Sequence, residues 1–254
     1  MIREMTAFND HFSGHAAQYS AFRPLWPAEL FAWLSRQSHG HDLAWDCATG
    51  NGQAAIGLKP YFRQVIASDA SQAQIDNVKP DEGVEYRVEP AEKSSLPGLC
   101  VDLLMVAQAY HWFDHDIFHS EANRVLKPGG LLAIAAYQLL SVNKSVDQLI
   151  RALWGDVLCG WWPPERVLID QGLDNETLPF SSVETPKFSI IQQWTLSDLL
   201  NYLSTWSAVR RFSASEGVNP VDMITPALEK TWGDSQKIRK VSWPISLNLR
   251  RKPA

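Results

Sequence analysis

A strand that ends in a loop of small residues is the feature that most limits the folds open to this chain. An apolar run from Leu43 ends at Asp46, and a loop with Gly50 and Gly52 leads from it into a helical segment. A second apolar run ends in Asp69. Glycine lets a ligand approach backbone N–H groups with no Cβ in the way, and a carboxylate at the end of the next strand can accept both hydroxyls of a ribose. The pattern predicts a nucleoside-cofactor site in an open parallel sheet.

Apolar, strand-like runs alternate with helical segments from residue 42 to residue 137. This alternation predicts a doubly wound, mostly parallel α/β sheet, which we expect to contain seven strands. The predicted strands are 42–46, 64–68, 84–89, 100–106 and 131–137, and the predicted helices are 26–36, a segment from 53, 71–77 and a segment capped by Asp114. The sequence Lys127-Pro128-Gly129-Gly130 is expected to lie between that last helix and the strand 131–137.

The C-terminal part of the chain has fewer strand signals. It contains predicted helices at 146–158, 196–209 and 220–232, and predicted strands at 183–193 and 240–249. Two late strands separated by helices predict an antiparallel edge strand. We therefore expect a single domain over 1–254, with an N-terminal helical cap (1–40), a cofactor-binding core (41–142), and a helical insert with closing strands (143–254).

Composition excludes several classes of protein. Of the 254 residues, 20% are charged, and the net charge is −5, which disfavours nucleic acid as the main partner. Three cysteines are too few for a disulfide framework, and the longest apolar runs, 103–107 and 131–137, are far too short to span a membrane. We expect a cytoplasmic protein with no membrane partner, either a monomer or a weak homodimer. A late basic cluster is interpreted as the solvated flank of a strand; its members are Lys237, Arg239, Lys240, Arg250, Arg251 and Lys252.

The charge of Asp46 discriminates between two cofactors. Gly50, Gly52 and Ala55 satisfy the spacing G-x-G-x-x-A of dinucleotide enzymes, so a nicotinamide oxidoreductase is one reading. However, a carboxylate beside the loop would repel a pyrophosphate. S-adenosylmethionine instead has a cationic amino-acid end, and its ribose needs an acid such as Asp69. The sequence therefore favours S-adenosylmethionine.

An ordered set of motifs resembles class I S-adenosylmethionine-dependent methyltransferases. The segment D-C-A-T-G-N-G-Q at 46–53 is similar to their first motif, D-x-G-x-G-x-G, and the resemblance extends over nearly the whole chain. The further motifs are S-D-A-S at 68–71, P-A-E at 90–92, A-Q-A-x-H-W-F-D at 107–114 and R-V-L-K-P-G-G at 124–130. The opening F-x(10)-Y-x-x-F-R-P and the segment T-W-S-A-V-R-R at 205–211 resemble the small-molecule branch that includes trans-aconitate methyltransferase-like proteins.

The resemblance implies cofactor contacts at defined positions. It assigns the methionine part of S-adenosylmethionine to Asp46 and to the backbone of Ala48 and Gly50. It assigns the ribose to Asp69, and the adenine to Ala70, Ala91 and Glu92. Ala107 and Gln108 would border the sulfonium. Tyr19 and Arg23 would contact either the carboxylate of the cofactor or the substrate. Ala48 departs from the family pattern, which has glycine there, and its methyl group is tolerated if the residue needs no positive φ.

The acceptor site is less well defined by the sequence. Methyl transfer needs a base for a hydroxyl, amine or carbon acid, whereas a carboxylate needs none. His111 is the best-placed candidate base and Tyr110 the next, although His111 and Trp112 can also simply shape the pocket. His111, His115 and His119 repeat every four residues, a spacing that allows a metal site. However, no glutamate completes an H-E-x-x-H motif, so we expect no metal site.

Tryptophan is abundant, with eleven residues in the chain. Trp112, Trp161 and Trp162 are the predicted contacts to the acceptor, and packing of the late helices is the alternative for such residues. Arg210 and Arg211 suit either an anionic acceptor or solvent. The sequence thus predicts a methyltransferase acting on a small molecule, a carboxylic acid being one candidate. A non-catalytic S-adenosylmethionine-binding or regulatory protein is the alternative.

Overall fold

The fold is described from a computed structural model, which covers residues 23–173 and 178–254. The strands are β1 (Leu43–Cys47), β2 (Gln64–Asp69), β3 (Val84–Val88), β4 (Val101–Ala107), β5 (Leu126–Tyr137), β6 (Ser181–Val183), β7 (Phe188–Trp194) and β8 (Arg239–Arg251). The helices are α1 (Ala28–Gln37), α2 (Gln53–Leu58), α3 (Gln72–Asp76), α4 (His115–Val125), α5 (Lys144–Ala152), α6 (Val167–Asp170), α7 (Leu196–Ser204), α8 (Ser207–Glu216) and α9 (Pro220–Trp232). Short 3-10 turns lie at Tyr110–Trp112 and Pro164–Arg166, and a π-helical turn at Leu153–Val157 continues α5.

The sheet confirms the predicted mostly parallel architecture. Its strand order is β3-β2-β1-β4-β5-β8-β6, with β7 also paired to β8. Strands β1 to β5 run parallel to one another. From β1 the chain continues outward to β2 and β3, and it then returns to β4, on the other side of β1, and continues to β5. Ligands bind at such a switch point, beyond the carboxyl ends of the strands, because the two connecting loops diverge there. The crevice is therefore expected at the ends of β1 and β4.

The predicted antiparallel edge is built around β8. One side of β8 pairs antiparallel with β5, while β6 and β7 lie one after the other along its second side. The sheet thus has eight strands rather than seven, because the predicted strand 183–193 is two strands with Pro186 between them. Proline lacks the N–H that a ladder needs, so pairing stops around it.

Two other segment predictions differ from the structure. The predicted helix 196–209 is divided into α7 and α8, because Trp206 has extended backbone angles and precedes the first turn of α8. Strand β5 begins at Leu126, so the Lys127–Gly130 segment lies within a strand rather than before it. Gly129 permits this course, since its φ is +74°.

The core lies on both faces of the sheet and under the late helices. Trp45, Leu104 and Phe118 pack on one face, and Phe31 and Met105 on the other. A further cluster joins α5, α7 and α9 to β8, with the buried Trp232 and Trp243 among its members. Every residue of β1 is buried, so the strand that carries Asp46 is covered on both faces of the sheet.

Part of the late basic cluster has a structural role. Arg251 donates hydrogen bonds to the backbone carbonyls of Gly129 and Gln37, and Lys252 donates to those of Asn123 and Leu126. These two side chains tie the last strand to α1, α4 and β5. They are therefore not a free cationic surface.

Residues 23–173 and 178–254 contain no helix that is long and apolar enough to cross a membrane.

Candidate functional site

Asp46 is a buried carboxylate at the end of β1. Its Oδ2 accepts hydrogen bonds from the hydroxyl of Thr49 and from the N–H of Ala55, 2.9 Å away in the first turn of α2. Its Oδ1 is buried and has no hydrogen-bond partner within residues 23–173 and 178–254. Burial and the charge of Asp69 raise the pKa of Asp46, the two hydrogen bonds lower it, and the result is a pKa of about 7. An orphaned carboxylate oxygen of this kind suits a cationic ligand group.

The loop after β1 exposes its backbone. Ala48, Gly50 and Gly52 all adopt positive φ, at +57°, +57° and +84°. A Cβ on Gly50 would have no atom of the described residues within 4 Å, whereas one on Gly52 would lie 3.0 Å from the hydroxyl of Tyr86. Among the described residues, Gly50 therefore leaves room for a ligand beside the backbone. Alanine at position 48 is tolerated without strain only if the residue needs no positive φ. Because the φ of Ala48 is positive, this condition is not met.

Asp69 connects the first two strands at the loop. Its Oδ2 accepts from the N–H of Gly50 and its Oδ1 from the N–H of Ser71, both at 2.9 Å. Only 9% of Asp69 is exposed. The carboxylate is thus oriented by the glycine loop and by the start of α3, at the place where the sequence predicts a contact to ribose.

The other predicted cofactor residues follow β2, β3 and β4. Ala70 is half-buried and Ala91 buried. Glu92 is half-buried, and its Oε1 accepts from the N–H of Asp114, 3.0 Å away, so it is tied to the start of α4. Ala107 is the last residue of β4. Tyr19 lies outside the described residues.

Gln108 turns the chain at the end of β4. It has a φ of +61°, which is rare for a side chain of its size. Two hydrogen bonds hold this conformation, since its N–H donates to the carbonyl of Ala135 and its Oε1 accepts from the N–H of Tyr137, each at 2.8 Å. Strained backbone of this kind is common where a side chain must be aimed at a ligand.

The two candidate bases have different surroundings. Tyr110 is 2% exposed, with its hydroxyl 2.8 Å from Nε2 of His119 and its ring stacked on His115 at 4.3 Å. His111 is half-buried. Burial, together with the charges of Arg166 and Arg23, lowers the pKa of His111 to about 3. His111 is therefore neutral at pH 7.

The histidines with the four-residue spacing do not converge on one point. His115 and His119 both contact Tyr110, while His111 lies against Trp112 in the preceding turn. No group of three or more potential metal ligands is present within 23–173 and 178–254.

A small cavity, which we call the inner chamber, adjoins the end of β4. Its volume is about 70 Å³. Neither Asp46 nor Asp69 lines it, so it is separate from the pocket of these two carboxylates. Five predicted site residues line it: Arg23, Gln108, His111, Trp112 and Trp162. The remaining walls come from Tyr137, Gln138, Leu139, Pro163, Arg166, Ile169, Tyr202, Trp206 and Ser207.

Arg166 and Trp162 form the cationic wall of the inner chamber. The guanidinium carbon of Arg166 lies 4.1 Å from the centre of the Trp162 ring, and its Nε is 3.3 Å from Oδ1 of Asp170. The indole N–H of Trp162 donates to the carbonyl of Trp154 at 2.9 Å. Both partners of this cation–π contact are thereby fixed in place.

Sequence reasoning missed several of these walls. Arg166 and Tyr202 come from different segments, and only packing brings them into one cavity. The pair Trp161-Trp162 did give a signal, but only Trp162 lines the inner chamber. Trp161 packs against Phe212, with ring centres 5.4 Å apart, so its contact with the acceptor stays a prediction.

Comparison with known proteins agrees with the fold and with the loop. Residues 45–134 match the model of a family described as "Methyltransferase domain". A methyltransferase from Dictyostelium discoideum is 33% identical, with 97% of each chain covered. A Schizosaccharomyces pombe protein named as an uncharacterized methyltransferase is 25% identical over 81% of this chain and 82% of its own. A solved structure described as a type II methyltransferase, from Anaeromyxobacter dehalogenans, has a TM-score of 0.87 and 39% identity, covering 91% of this chain and 99% of its own.

The sheet order, the glycine loop and the two strand-end carboxylates define the class I methyltransferase fold. With a relative that is 33% identical over nearly its whole length, the chain belongs to the methyltransferase family and is an enzyme of that kind. Its cofactor is S-adenosylmethionine. The loop fits this group, since the orphaned Oδ1 of Asp46 can accept from an ammonium and the described residues leave room beside Gly50.

Proposed function

We propose that this enzyme methylates a carboxylate of a small-molecule acceptor. When bound, S-adenosylmethionine supplies an electrophilic methyl group, and a carboxylate oxygen can take it in one in-line displacement. A methyl ester and S-adenosylhomocysteine are then the products. The observation that carries the proposal is the inner chamber, where Arg23 and Arg166 lie beside a neutral His111.

Cofactor binding is assigned to the ends of the first strands. Asp46 and the backbone of Ala48 and Gly50 would hold the methionine part, and Asp69 the ribose. Ala70, Ala91 and Glu92 would border the adenine, and Ala107 with Gln108 the sulfonium. Gln108 also lines the inner chamber, so it would border both the methyl donor and the acceptor where the two meet.

The surroundings of His111 favour an acceptor that is already an anion. A base with a pKa of about 3 has little affinity for a proton at pH 7, so His111 would remove a proton from a hydroxyl or an amine only poorly. Tyr110 is not among the residues that line the inner chamber. A carboxylate needs no base, and two guanidinium groups suit its charge. In this proposal, His111 and Trp112 shape the pocket.

The test is a mass-spectrometric screen for products that have gained a methyl group. Purified protein is incubated with S-adenosylmethionine and matched sets of carboxylic acids, their amides and the corresponding alcohols. We expect methyl esters from one or more acids, no product from the amides or alcohols, and retained turnover in His111→Gln. Methylation of alcohols or amides but of no acid would overturn the carboxylate assignment. Loss of all turnover in a folded His111→Gln variant would make His111 an essential base.

A further inference from the structure

A second cavity, which we call the outer chamber, lies next to the inner one. Its volume is about 590 Å³, and it opens to solvent. Trp112, Pro163 and Ser207 line both cavities. These three residues therefore lie between the two chambers, and we call them the neck. The other outer walls are Ser204, Val209, Arg210, Arg211, Ser213, Ala214 and Asn219.

The two volumes suit different parts of a ligand. A water molecule in the liquid occupies about 30 Å³, so the 70 Å³ of the inner chamber corresponds to little more than a carboxyl group and one or two carbons. Pockets that hold a whole organic ligand usually measure about 300–1,000 Å³. The outer chamber falls within that range, and the inner one is far below it.

The walls of the chambers differ in chemistry as well. In the inner chamber, Arg166 is held against the Trp162 ring and beside Asp170, next to Gln108 at the end of β4. The outer chamber combines apolar side chains, among them Val209 and Ala214, with the cations Arg210 and Arg211. The hydroxyls of Ser204 and Ser213 already donate to backbone carbonyls one turn earlier in their own helices. A cation fixed by a ring and a carboxylate thus lies at the inner end, and a mixed apolar and cationic wall at the outer end.

We propose that the acceptor occupies both chambers at once and is an extended carboxylic acid. Its reacting carboxylate lies in the inner chamber against Arg166, and the rest of the molecule passes the neck into the outer chamber. This inference rests on the carboxylate function proposed above. It adds that an acid short enough to fit the inner chamber alone leaves most of the site unused and binds weakly.

The test measures how affinity depends on chain length. The probes are omega-hydroxy acids from hydroxypropanoate to hydroxyoctanoate, titrated into protein saturated with S-adenosylhomocysteine, with the fluorescence of the chamber tryptophans as the readout. We expect the longest acid to bind at least about tenfold more tightly than the shortest. Ser207→Leu narrows the neck and should remove this gain. Because Ser207 also lines the inner chamber, the shortest acid should lose affinity too, but by a smaller factor than the longest one.

Two further variants serve as controls. Ser215→Leu makes the same change on the exposed end of α8 and should behave as the natural protein. Ser213→Leu fills part of the outer chamber and leaves the neck unchanged, so it should weaken the binding of the long acids alone. This variant keeps the proposal testable if Ser207→Leu does not fold. Circular dichroism checks the fold of each variant.

The outcomes separate the two proposals. Affinity that does not rise with chain length, equal loss for short and long acids in Ser207→Leu, or no binding of any acid at about 10 mM would overturn the two-chamber site. A protein that binds no S-adenosylhomocysteine at all would instead contradict the methyl-transfer function on which this inference rests. The two-chamber site is supported if affinity rises with chain length in the natural protein and if both Ser207→Leu and Ser213→Leu remove that rise.

Discussion

Burial controls the charge of Asp46. With its pKa near 7, the carboxyl of the unliganded protein takes up a proton just below neutral pH. An unfolded aspartate ionises at about 3.9, so the folded state binds the proton more tightly than the unfolded state does. The stability that Asp46 contributes is therefore fully present below about pH 4 and is lost as the pH rises through 7. The loss amounts to about 4 kcal/mol at most.

Replacing Asp46 by Asn tests this linkage. We expect the natural protein to have a lower free energy of unfolding at pH 8 than at pH 5, and Asp46→Asn to reduce that difference because the amide does not titrate. Urea unfolding at both pH values measures it. Exposed Asp116→Asn is the matched control and should leave the pH dependence as it is. An equal pH dependence in Asp46→Asn and the natural protein would show that other groups cause it.

Ala48 stores strain in the glycine loop. A left-handed backbone costs an L-residue about 1–2 kcal/mol, and Ala48 has a φ of +57°. Ala48→Gly should therefore raise the free energy of unfolding by about 0.5–1 kcal/mol, after the added entropy of the unfolded chain is subtracted. Ala54→Gly, in helix α2, is the control and should lower stability by about 1 kcal/mol. If both changes destabilise the protein equally, the positive φ of Ala48 carries no strain.

At the level of secondary structure, close contact between α1 and α2 depends on one glycine. A Cβ on Gly57 would lie 2.2 Å from Cε2 of Phe31, which is buried in the core. Gly57→Ala should thus destabilise the protein by about 1–3 kcal/mol, although alanine is the better helix former. Gly155→Ala is the contrasting change, since a Cβ there meets nothing within 4 Å. Thermal unfolding compares the two variants; similar melting temperatures would contradict the contact.

The same level shows what the sequence could predict. Strands β1, β2 and β4, and the acids at the ends of β1 and β2, were predictable, because buried apolar runs and small-residue loops are local signals. The break at Pro186 was visible too, since proline interrupts a ladder, yet the apolar pattern on both sides suggested one strand. The positive φ of Ala48 was not predictable, because this conformation is typical of glycine and alanine rarely adopts it. The wall formed by Arg166, Trp162 and Trp206 depends on packing between distant segments.

At the scale of the whole molecule, ligand binding should appear as stability. A ligand that binds only the folded state at about 100 times its dissociation constant adds about 2.7 kcal/mol. For a chain of this size that corresponds to a rise in melting temperature of about 5–10 °C. S-adenosylhomocysteine should produce this rise, and NAD at the same concentration should not. Asp69→Ala should abolish the effect; a full shift in that variant would remove Asp69 from the cofactor site.

The position of β8 in the sheet has a consequence for synthesis of the protein. The ribosome makes β5, β6 and β7 well before residues 239–251, yet all three pair with that strand. Strands β1 to β4 have every sheet neighbour available as soon as β5 has emerged. The half that carries the glycine loop can therefore assemble during translation, while β6 and β7 wait with unpaired edges. We infer that the nascent chain is most prone to aggregation in that interval.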